Sequence, residues 1–276
     1  MSYPSVDKPY GYKPVNLIGG QPYAGSTRNF PIAYNYGTAI YYGDPVALSS
    51  GYAVLPTLPV SSQTTAQTIV GYFLGCYYTN PTTKQRQYAQ YYPGNVTAGD
   101  ITAIVVDDPD VVLQVAASTT AGGAIVGSFS SLLVGANVVG GTQTGSAQTG
   151  NSALSVVPTS SAGASTAGFR VLSLIPDTQF SNSATYVSGT GTTTLTVSGL
   201  PVGLFIPVGT DIFNSTSFGP QFTGSTTSAS TTVTTTGNTA LTVTASTVTV
   251  SGTVALVQTP EALVKTNFGV HRYNIA

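Results

Sequence analysis

Threonine alternates with aliphatic residues through much of the last third of the chain, as TTTLTV at 192–197 and TALTVTASTVTV at 239–250. A period of two puts every other side chain on one face, which is the pattern of a half-buried β-strand. Residues 111–169 carry no charge and no helical periodicity, only short apolar runs between Gly-rich stretches. Further strand-like runs are TIVGYFLGCYY at 68–78, ITAIVV at 101–106, VVLQVAA at 111–117 and FRVLSLI at 169–175. They are β-branched and aromatic, as strands prefer. The chain is therefore expected to be all-β, a β-barrel or β-sandwich core with additions.

Those additions are read from composition. Residues 1–30 are rich in Tyr, Pro and Gly, and Pro4, Pro9, Pro14 and Pro22 each remove a backbone donor. They are read as an extended N-terminal arm lying on its own domain or on a neighbour. Residues 180–260 contain Asp211 as their sole charged residue, whereas charges recur on both sides. The expected organisation is an arm at 1–30, a β core domain at 31–178 plus 260–276, and an inserted Ser/Thr-rich β-subdomain at 179–259. Leu200, Leu204, Phe205, Ile206, Ile212, Phe213 and Phe222 would give that insertion a core. Asp107-Asp108-Pro109-Asp110 has turn chemistry and predicts a hairpin between the runs at 101–106 and 111–117. Both faces of these two runs are apolar, so both should be central strands.

Only 6% of the 276 residues are charged and the formal net charge is -1. Duplex nucleic acid calls for clustered Lys and Arg, and eight basic residues are spread over the whole chain. The same count argues against an anionic membrane surface. The uncharged segment 122–141 has about the length of a membrane span. Gly, Ser and Asn interrupt it, and it reads as strand–turn–strand. Cys76 is the sole cysteine, which excludes an intrachain disulfide and fits a small buried hydrophobe.

Chemistry is hard to build from these residues. His271 is the sole histidine, and no nucleophile-elbow sequence accompanies it. The acidic run at 107–110 lacks the spacing of a calcium loop and fits a turn better. No Gly-rich segment matches a phosphate loop. No catalytic residue, metal or cofactor is expected, and the chain is read as a non-enzyme. Its surplus is tyrosine, 17 residues in all. Tyrosine combines a large rigid contact area with a hydroxyl that can stay hydrated, which suits interfaces.

The strings KPVNLIGG, YAGSTR and YYGDPV, within 11–33 and 40–46, resemble the N-terminal region of capsid decoration, or cement, proteins of tailed bacteriophages, notably marine and cyanobacterial podoviruses. VVDDPDVVLQVAA at 105–117 and NFGVHRYNI at 267–275 look similar to that family as well. The resemblance covers about 1–178 and 260–276 and leaves the Ser/Thr block without a counterpart. It implies a structural protein on the capsid exterior that cements major capsid protein subunits and stabilises the mature head, often as a homotrimer. It brings no catalytic residues. Candidate interface residues on the arm are Tyr10, Tyr12, Leu17, Tyr23, Arg28 and Phe30. Two other readings stay open: a tail- or fibre-associated virion protein, and a polysaccharide-binding or -degrading β-domain that meets host-surface glycans through residues 180–260.

Overall fold

A computed structural model describes residues 9–57, 69–118, 134–157, 167–175, 181–188, 194–206, 210–214, 228–243, 253–257 and 261–267. Among these residues the regular structure is strand, with no helix. The chain divides into two compact units, one holding the described residues of 9–174 and 262–267, the other those of 175–261. The composition-based boundaries lie at 178/179 and 259/260.

The first unit contains β1 (Lys13–Leu17), β2 (Arg28–Pro31), β3 (Pro45–Ser49), β4 (Tyr52–Val54), β5 (Ile69–Thr79) and β6 (Arg86–Ala89). It continues with β7 (Thr102–Val106), β8 (Val111–Ala116), β9 (Asn137–Gly140), β10 (Val156–Val157) and β11 (Phe169–Leu174), and the last described strand, Glu261–Thr266, returns to it from Ala262 on. One sheet has the order β1-β8-last strand-β11-β9-β10, and the other β2-β7-β5-β3-β4 with β6 also on β5. The two sheets meet through aromatic rings in a sandwich-like arrangement. Tyr12, just before β1, stacks on Phe169 of β11 at 4.8 Å between centroids and tilts against Tyr72 of β5 at 5.4 Å. The Tyr72 hydroxyl is hydrogen-bonded to Thr266 Oγ1.

Strand β5 is buried on both faces. Its other face carries Phe73, Cys76 and Tyr78, packed with Ile40, Tyr92, Val96 and Ile101 from the loops that cover it. Strict alternation would separate Phe73 from Cys76 and Tyr78. The register against β7 slips between Phe73 and Gly75, and this bulge returns them to one face. Gly71 lies so close to β7 that a Cβ there would sit 2.0 Å from the Val106 carbonyl oxygen.

One expectation is corrected here. The runs at 101–106 and 111–117 are central strands, but they do not form a hairpin with each other. Strand β7 lies between β2 and β5, and β8 lies between β1 and the last strand, in different sheets. The acidic linker at 107–110 is a corner from one sheet to the other. The described part of the arm is extended and lies on its own domain: β1 pairs antiparallel with β8, and β2 with β7. Both are edge strands of their sheets, with β1 bridged on its outer side by its own return at Asn16–Pro22, and sheet edges are where proline is tolerated. Pro14 adjoins a register slip, and Pro31 ends β2.

In the second unit, β12 (Ser181–Ser188), β13 (Thr194–Ser198), β15 (Asp211–Asn214), β17 (Thr239–Thr242) and β18 (Thr253–Val257) form a sheet of order β15-β18-β12-β13-β17. β14 (Phe205–Ile206) pairs with β16 (Thr231–Thr232). The strand at Glu261–Thr266 is β19. The Thr alternation works as its period requires: Leu195, Val197, Leu241 and Val243 are buried, and Leu195 lies opposite Leu241. Leu200, Leu204, Ile206 and Ile212 join that core. Phe205 does not, being 40% exposed, because it points away from its buried neighbour Ile206. Phe222, His271 and most of 122–141 lie outside the described residues, as does the Phe213 side chain.

Candidate functional site

The six arm residues do not form one surface. Tyr12 is 0% exposed, and its hydroxyl donates to the Ser155 carbonyl at 3.3 Å. Burial raises its phenol pKa well above the ordinary value. It is a core residue, with no surface to offer another chain. Tyr10 is half-buried, with the Lys13 ammonium 3.8 Å from its ring centroid. Phe30 packs against the cluster behind β5.

Leu17, Tyr23 and Arg28 do gather, at the acidic corner. Leu17 pairs with Val111, and the Ile18 amide donates to the Asp110 carbonyl. Arg28 Nε lies 2.9 Å from Asp107, and Lys265 Nζ lies 2.8 Å from Asp110. The Asp110 amide donates to Asp108 Oδ1. Tyr23 has its pKa raised by burial, then by the charges of Asp107 and Asp108. The carboxylates are thus occupied by cations and amides of their own unit. Among the described residues no group of three acidic, His or Cys side chains is arranged to hold a metal. From this corner the turn at 18–27 projects into solvent, with Ile18 47% exposed.

A second feature went unnoticed in the sequence. A cavity of about 210 Å³, partly open to solvent, is lined by residues of 38–55 and 142–145. Asp44 is among them and is only 4% exposed. Its Oδ2 accepts from the Tyr41 amide at 2.8 Å, and Ser152 also hydrogen-bonds to it. No Lys or Arg pairs with it among the described residues. Burial pushes its pKa up to about 6, against the opposing pull of those two hydrogen bonds. Gln143 lines the same cavity. Its Nε2 donates to Ser155 Oγ at 3.0 Å, while its Oε1 is buried without a hydrogen-bond partner among the described residues.

Glycine shapes this place. Gly43, at φ +87°, leaves its carbonyl to accept from the Tyr12 amide. A Cβ on Gly141 would come within 2.1 Å of Gln143 Oε1, and one on Gly145 within 2.4 Å of the Tyr41 ring. One signal in the sequence marks the cavity: between Arg28 and Lys84, Asp44 is the only charged residue. Nothing in the sequence marks Gln143, one of several Gln in polar surroundings.

A third feature is an exposed aromatic patch on β5 and β6. The Arg86 guanidinium lies 4.2 Å from the Tyr77 ring centroid and 5.6 Å from that of Tyr88, which is 68% exposed. Cys76, one residue away from Tyr77, is buried, and its thiol pKa is pushed up to about 12 by desolvation. No family model, curated protein or solved structure matches the chain.

Proposed function

We propose that this chain is a virion structural protein that binds the exterior of a phage capsid and cements major capsid protein subunits. The observation that carries this reading is where the segment resembling decoration proteins lies. Residues 13–17 and 28–31 are the edge strands of two different sheets, and the turn between them faces solvent. The outer side of β1 is held in part by its own chain, the Leu17 amide donating to the Gln21 carbonyl and the Tyr23 amide to that of Val15, whereas β2 has no described strand on its outer side, and such an edge can pair with another chain. A protein that holds such an edge and an apolar tip outward is equipped to bridge neighbours. Many identical weak contacts on one lattice then add up to firm attachment. Binding to the mature lattice alone would stabilise that state by mass action.

The test uses purified protein and expanded heads lacking it. Deleting 1–30 would be uninformative, since it removes two strands of the fold. Ile18→Asp alters the exposed tip alone and is expected to lower head occupancy by about tenfold or more. Undiminished occupancy would remove the tip from the interface. Failure of the wild-type chain to bind expanded heads at all would refute the function. Copy number per particle, hundreds against a handful, separates decoration from a tail role. The glycan reading draws support from the Tyr77–Arg86–Tyr88 patch, because exposed aromatic faces stack on sugar rings. Glycan-array binding lost in Tyr88→Ala would favour it.

A further inference from the structure

We propose that the cavity beside Asp44 is a socket for a primary alkylammonium group, the lysine side chain of a partner protein. The inference rests on the decoration reading for the identity of that partner, but the socket itself stands on this chain's geometry. Three observations converge on that chemistry.

Asp44 and Gln143 line the cavity, and neither has a Lys or Arg beside it among the described residues. Asp44 brings a buried carboxyl group. Gln143, on the same wall, has a carbonyl oxygen buried beside Gly141 with no donor among the described residues. A buried acceptor left unpaired is costly, and a buried carboxylate more so. An ammonium group carries three donors and a positive charge, which is what the Asp44 carboxylate lacks.

The remaining walls are apolar in large part, from Ala39, Leu55 and the Tyr41 ring, which is held in place by stacking on Tyr91 at 5.5 Å. Such walls suit a methylene stem that ends in a charged head. They do not suit a hydrated divalent cation, which calls for six or more oxygen ligands. The absence of side chains at Gly141 and Gly145 makes room for Gln143 and the Tyr41 ring, which form the walls.

The desolvated carboxyl also gives the socket its selectivity. Empty, Asp44 has a pKa raised to about 6 by burial. A cation seated against it favours the ionised form and draws that value back down. Binding is thereby linked to the charge state of one named residue, which makes it directly measurable.

The experiment follows the Asp44 side-chain carboxyl by ¹³C NMR in the full chain during pH titrations. These are run with n-butylammonium chloride or with sodium chloride at equal ionic strength. With n-butylammonium the pKa is expected to fall by about one unit or more. Shifts in the Ala39 and Leu55 methyls should accompany it and vanish in Asp44→Asn. No difference between the two salts would overturn the socket and leave the decoration reading untouched. Head-binding by Asp44→Asn, beside Asp100→Asn as a surface-carboxylate control, then tests the source of the ammonium. Loss of about thirtyfold or more in Asp44→Asn alone is expected for a buried charge pair. Unchanged occupancy of Asp44→Asn on heads that bind the wild-type chain would overturn the assignment to a partner lysine.

Discussion

Replacing Asp44 by Asn should stabilise the protein, and only above a particular pH. Asp44 has an ordinary pKa of 3.8 and about 6 in the folded chain. The folded state therefore binds more protons than the unfolded state between these values, and its stability falls as pH rises through that window. The full contribution is present below about pH 4, is lost as pH passes about 6, and is flat beyond. A gap of about two units corresponds to about 3 kcal/mol at 1.36 kcal/mol per unit. Asn keeps a carbonyl oxygen for the Tyr41 amide and removes the ionisation. Denaturant unfolding of both proteins at pH 4 and pH 8 would measure it, the difference between them cancelling the other carboxylates. Nearly equal stability is expected at pH 4, with the variant ahead at pH 8 by more than about 1 kcal/mol and up to about 3. If the variant is less stable at pH 8, or the difference does not vary with pH, the carboxylate is not penalised by burial and the reasoning fails.

Other consequences are as direct. Tyr12→Ala removes a fully buried ring stacked on Phe169 and should cost about 3–5 kcal/mol, whereas Tyr12→Phe should cost about 1 kcal/mol for its one hydrogen bond, both read from denaturant midpoints. Gly71→Ala must push β5 from β7, because its Cβ would meet the Val106 carbonyl at 2.0 Å, and a melting temperature within a degree of wild type would contradict that packing. Arg28→Ala breaks an ion pair whose arginine is exposed and whose Asp107 is mostly covered, and should cost about 1 kcal/mol, less in high salt, read from denaturant midpoints. Cys76 should react with Ellman's reagent only on denaturation, since it is buried and its thiol pKa is pushed up to about 12.

Strand content was legible from periodicity because the physics is local. The Thr alternation at 194–198 and 239–243 assigns inward and outward residues by parity, and Leu195, Val197, Leu241 and Val243 are inside as parity requires. The central placement of β7 and β8 follows as directly from their two apolar faces. Phe205 shows the limit of reading hydrophobicity without parity: beside Ile206 on a two-residue strand, one of the pair had to face out.

Pairing is where local rules stop. The acidic, proline-containing linker at 107–110 is as good a corner as a hairpin turn, and its residues are the same in either case. The choice was made by what each flanking strand meets: β2 and β5 for β7, β1 and β19 for β8. Residues 9–31 carry the prolines and glycines of an irregular segment, yet the edges of two sheets supplied the partners that turned 13–17 and 28–31 into strands. Tyr12 became core and Tyr88 surface although both are tyrosines in Tyr-rich runs, because a residue's burial depends on what arrives from elsewhere in the chain, here Phe169 and Ser155. Asp44 stood out as a lone charge between Arg28 and Lys84. Its burial, and its sharing of a cavity with a glutamine about a hundred residues away, come from packing between distant segments, which no local pattern encodes.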